Sequence, residues 1–265
     1  MLFEPQLRKW RWIAFLATVL NLAFNALAPH LPLGKGSILE ITQRHPTLFS
    51  PAPYAFSIWG LIYLTTLAYA IYQLRPGQRH VDAYDRMAKP LAALNALATA
   101  WIVVFQNDLI AWSVAVIFAS LFFAWMFLVH ANRAADRQEI DRWILLPATL
   151  WFAWLSVAAI ANVSLFVGDL GWSDGNQVSW ALAAIGIAVA SGFLIGSRFH
   201  SWVYPLVMAW AAASVWMERK SDSRLVAMFA LLACAMMLAW SAYCAMRTRR
   251  AKRGFRIFRG PIDAR

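Results

Sequence analysis

From residue 49 to residue 73 the chain reads FSPAPYAFSIWGLIYLTTLAYAIYQ, with no charged side chain. A backbone in hydrocarbon must satisfy its amides within its own segment, so an uncharged run of this length fits a membrane-crossing helix and little else. Pro51 and Pro53 lack backbone donors and push the residues before them out of the helical region, so the helix starts at or just after Pro53. At about 1.5 Å per residue, residues 54–73 then cross the roughly 30 Å hydrocarbon layer once. Phe56, Trp59 and Tyr63 recur at i, i+3 and i+7, which puts three aromatic rings on one helix face beneath a proline-bounded loop. Such a stripe is either ordinary helix packing or the wall of a flat, apolar binding site.

Runs of this kind recur along the chain, at residues 12–29, 54–73, 89–105, 109–130, 143–168, 180–197, 200–217 and 225–246. The expectation is an all-α, polytopic membrane bundle of about eight spans joined by short connections. With 61% hydrophobic and 14% charged residues, the chain has too little polar surface for a water-soluble globule of 265 residues. Its net charge of +11 lies in loops and tails beside spans, where an anionic bilayer surface accounts for it and nucleic acid need not be invoked. Cys234 and Cys244 are ten residues apart in one apolar run, about 15 Å along a helix, and form neither a disulfide framework nor a metal site.

The first run has the basic start and apolar middle of a signal peptide. It ends in Ala26-Leu27-Ala28 before Pro29, and it reads as an uncleaved span. The loop at residues 30–50 is long for a helix connection and reads as a lid. The positive-inside rule places most of the 24 Lys and Arg on one side if both termini are cytoplasmic, which gives an N-in, C-in, multi-pass protein of a bacterial plasma membrane. Residues 247–265 form a basic tail interleaved with Phe255, Ile257 and Phe258, suited to anionic lipid. Small residues in the spans leave faces available for a homodimer without selecting one. No span carries a mid-membrane charge, which disfavours proton relays and ion-coupled carriers. The sequence contains no phosphate loop, HExxH or GxSxG, and its five histidines are scattered, so no catalytic or metal-ligating set emerges.

The 15 tryptophans are several times the usual share, and they are not confined to span ends as interfacial anchors would be. In residues 145–163, Pro147, Trp151 and Trp154 form a second stripe, and Asn162 follows eight residues after Trp154. An amide at that depth bonds either another helix or a ligand.

These features together resemble the translocator-protein or tryptophan-rich sensory protein family (TspO/MBR). Pro53, Phe56, Trp59 and Tyr63 are similar, in order though not in every spacing, to its proline-led helix of the form P-x-x-x-F-x-x-x-W-x-x-x-Y. Trp154 and Asn162 keep its Trp-to-Asn spacing, and residues 25–32, 56–63 and 154–163 are similar to one branch of it. The family's third helix has Asn three residues before Trp; here Ala98 precedes Trp101, with Asn95 one turn further back. The resemblance covers roughly residues 10–168, helices one to five, and sets residues 1–168 apart as a five-helix core, leaving residues 169–246 as three further spans and 247–265 as the tail. It implies a pocket under the first loop for a porphyrin or haem-like tetrapyrrole, with no cofactor required. Trp59, Tyr63, Trp101, Trp151 and Trp154, with Phe56, become wall residues, and Tyr54 and Asn162 become polar contacts. A small-solute permease and a membrane enzyme degrading the bound ligand are the alternatives.

Overall fold

The computed structural model describes residues 5–258 apart from 29, 30, 32, 33, 173 and 174, and side chains from residue 9 to residue 248. Among these residues there are nine α-helices and no strand: α1 (Pro5–Leu27), α2 (Ile38–Arg44), α3 (Ile58–Tyr72), α4 (Ala83–Gln106), α5 (Ile110–Asp136), α6 (Leu145–Asp169), α7 (Gln177–Arg198), α8 (Val203–Arg219) and α9 (Arg224–Phe258). Seven of them are long and apolar enough to cross a membrane. The expected span at residues 200–217 is present as α8, whose 17 residues reach about 25 Å and stand at the short end of a crossing. The short α2 has no hydrophobic run to announce it. It is nucleated by a capping box, in which Ser37 accepts from the Glu40 amide and Glu40 accepts from the Ser37 amide.

Helix α6 is the axis of the bundle. Two-thirds (67%) of its membrane window is buried, against 22% for α1 and α7, because it packs on α3 and α5 to one side and on α7 and α8 to the other. Its buried Trp151, Trp154 and Leu155 join Met87 and Leu91 of α4 and Tyr204 and Met208 of α8 in one continuous core. Helix α4 begins at Ala83, before the expected residue 89, with Pro90 inside it. The extension carries Asp85 to Arg11 of α1, whose Nε donates to Asp85 Oδ1 at 2.7 Å. The Arg11 guanidinium also donates to the carbonyls of Gln78 and Val81, so this basic residue is buried in the bundle rather than facing lipid headgroups.

Helices α7 and α9 approach closely at Gly192 and Gly196, a four-residue small-residue pair that the reading of dimer faces passed over. A β-carbon on Gly192 would lie 2.3 Å from Met237 Sδ, and one on Gly196 3.0 Å from Trp240 Nε1, both on α9. The pair serves contact within the chain. Helix α9 continues into the basic tail as far as Phe258; the tail side chains beyond residue 248 lie outside the described residues.

Candidate functional site

Residues 53–57 wind as a 3-10 turn before α3 begins. At three residues per turn Pro53 and Phe56 eclipse each other, and Trp59 follows in the same row. That row faces inward onto α6. Phe56 and Trp59 meet Trp154 edge to face, with centroids 6.1 and 6.4 Å apart, and Trp59 stacks on Tyr63 at 5.4 Å. Between these rings, Trp101 of α4 and the underside of α2 lies a cavity of about 340 Å³. A side chamber of about 50 Å³ shares Phe56, Trp101 and Trp154 and reaches Asn162.

Of the eight residues expected at the site, Phe56, Trp59, Tyr63, Trp101 and Trp154 line the main cavity, and Asn162 lines the side chamber. Trp151 sits one turn deeper, fully buried. Its indole N–H donates to Thr66 Oγ1 at 2.8 Å while its ring supports Trp59 at 5.4 Å. Tyr54 is off the inward row; its ring packs edge-on against Trp210 of α8 at 5.3 Å. Asn162 links three helices: its Oδ1 accepts from Trp101 Nε1 and its Nδ2 donates to Ser113 Oγ, each at 2.8 Å. The amide therefore orients the Trp101 ring as well as facing the chamber.

The sequence reading missed the roof and one flank. Ile38, Leu39 and Thr42 of α2 close the cavity from above; the Ser37-x-x-Glu40 capping box was the available signal. Asn25 of α1 stands at the side, at the end of a buried polar ladder. Asn25 Nδ2 donates to Asn21 Oδ1 (2.8 Å), Asn21 Nδ2 to Asn95 Oδ1 (3.0 Å), and Asn95 Nδ2 to Thr18 Oγ1 (3.2 Å). Asn95 is thus committed to α1, and Ala98 stands in the wall beside Trp101. Among the described residues, no lining residue is charged. Leu39 and Pro53 are both exposed and lining, so the mouth lies between α2 and the 3-10 turn.

Three segments hold the roof. Lys35 N donates to Gln106 O at 2.7 Å, where Gly34 fits because a β-carbon would lie 2.4 Å from that same oxygen. Ile41 is buried among Phe105, Ile110 and Leu165, at the ends of α4, α5 and α6. Further on, Ala52 N donates to Ser214 O, Arg219 Nη2 to Thr47 O, and Trp210 Nε1 to Ala55 O at 3.1 Å, so α8 props the loop and the turn that carries Phe56.

Among the described residues no group of three or more His, Cys, Asp or Glu could hold a metal. Searches of curated proteins and of solved structures each returned no match. A family model described as TSPO-like protein matches residues 11–243, reaching past the first five spans into α9. By that match, over most of its length, the chain belongs to the TSPO-like family of integral membrane helix bundles.

Proposed function

We propose that the chain is a membrane sensory or translocator protein that binds a planar, hydrophobic ligand such as a porphyrin in the cavity beneath α2. The observation that carries this reading is the wall itself: Trp59, Tyr63, Trp101 and Trp154, drawn from three helices, around one apolar void. Indole and phenol rings offer broad stacking area, which suits a flat conjugated ligand. The uncharged character of the described lining adds a constraint, because an unpaired buried carboxylate is costly. A tetrapyrrole would therefore insert its apolar edge and keep its acidic groups at the mouth, on the side of Leu39 and Pro53. The expected orientation, with both termini cytoplasmic and the basic tail on anionic lipid, belongs to the same proposal and requires α8 to complete an eighth crossing.

Titrating the purified chain with protoporphyrin tests it. Tryptophan emission should quench with saturation, Trp59→Phe and Trp154→Phe should each raise the Kd by roughly two- to tenfold, and Tyr54→Phe should leave it unchanged. Linear quenching that ignores all three substitutions would overturn the reading.

A further inference from the structure

Among the described residues, 36–46 of the roof make few side-chain bonds to the rest of the bundle: the two of one imidazole, and a longer ion pair of Arg44. His45 Nε2 lies 2.7 Å from Asp108 Oδ1, and its Nδ1 bonds Asp169 Oδ1. Asp108 follows the C-terminus of α4 and holds a left-handed backbone, φ 64°, which an Asp tolerates; Asp169 is the last residue of α6. The ring is therefore flanked by two carboxylates and by the negative ends of two long helices. A neutral imidazole has one N–H and can donate to only one of these acceptors, whereas the imidazolium donates to both.

We infer that His45 is a proton-operated latch on the cavity roof: the imidazolium holds α2 down onto α4 and α6, and loss of one proton releases it. Two other charged groups nearby belong to the roof itself. Arg44 lies 3.9 Å from Asp108 and donates to Lys35 O, and Glu40 is engaged by Ser37. Arg44 thus shares one carboxylate without replacing the bridge to Asp169. Partial burial lowers the basicity of His45, but the two carboxylates outweigh it and raise its pKa above the ordinary 6.5. The latch is therefore fully engaged below that ordinary value and is lost as pH rises through the higher, folded one.

Hydrogen exchange on the full chain in lipid nanodiscs, without ligand, tests the latch separately from any porphyrin reading. Between about pH 6 and about pH 9, after correction for intrinsic exchange, protection of residues 38–48 should fall by about tenfold while that of α5 stays constant. His45→Gln should give a flat profile at the released level. Asp169→Asn leaves a single carboxylate that neutral His45 can satisfy, so the transition should move to lower pH or disappear. A flat wild-type profile, or a transition that persists in H45Q, would overturn the proposal. Should H45Q fail to fold, a D169N profile identical to wild type would do so as well.

Discussion

The helices around the cavity and the three that follow them are held together in different ways. Around the cavity, α1 and α3–α6 meet through directional bonds: Asn21 to Asn95, Trp101 to Asn162 to Ser113, Trp151 to Thr66. Helices α7–α9 meet mainly through small residues, with Ala181, Ala184, Gly192, Gly196, Ala230 and Ala233 at or near their contacts and one strong side-chain bond, Ser241 Oγ to Trp202 O, at the start of α8. In lipid no hydrophobic force pulls helices together, so either device must supply the association. Small-residue contacts let backbones close until nothing is left between them. Side-chain bonds fix a spacing, and a spacing set by large rings can leave a void. The cavity lies in the bonded half for that reason, and α7–α9 supply in α8 a solid prop for its roof.

The largest expected effect is at Arg11. Its side chain and that of Asp85 are 4% and 9% exposed, so Arg11→Leu leaves a carboxylate buried without its cation. Removing one member of such a pair costs about 3–5 kcal/mol, whereas replacing both by apolar residues recovers most of that. Unfolding in detergent should show Arg11→Leu strongly destabilised and the Arg11→Leu/Asp85→Leu double variant close to wild type. A loss below about 1 kcal/mol for the single change would mean that directional bonds do not hold this half together.

Thr66→Val is smaller and reaches the cavity indirectly. It preserves shape but removes the acceptor for the Trp151 indole, leaving a fully buried donor unpaired, at a cost of about 1–3 kcal/mol. Because Trp59 leans on Trp151, porphyrin affinity should fall with stability, and Thr66→Ser should restore both. If Thr66→Val changes neither unfolding nor quenching, the wall is positioned by packing alone.

The same contrast explains what the sequence could disclose. Spans are legible because their signal is local, as is the inward row of Phe56 and Trp59, which survives whether the turn at Pro53 is α or 3-10. Tyr54, two residues before Phe56, falls off that row in either geometry, so its place was open to the same spacing argument. Arg11 reads as a surface charge because Asp85 lies 74 residues away and looks like part of a loop. His45 is equally opaque, since its partners at 108 and 169 come together only after α4, α5 and α6 have packed. The α2 roof and the Gly192/Gly196 pair were written in local patterns, a capping box and a four-residue spacing.

Gly192→Ala should have the smallest effect and separates the two halves most finely. The added β-carbon would meet Met237 Sδ at 2.3 Å, yet that sulfur lies near the end of a flexible side chain. Repacking it works against a gain of about 1 kcal/mol from replacing glycine inside a helix, so net stability should stay within about 1 kcal/mol of wild type. The same substitution at Gly34 drives a β-carbon against the Gln106 carbonyl at 2.4 Å, and backbone at a helix end cannot step aside. Gly34→Ala should therefore leave global unfolding little changed while lifting the roof, seen as faster exchange across residues 34–45. A large global loss for Gly192→Ala would show that α7–α9 are held as rigidly as the cavity walls, and the distinction between the two regions would fail.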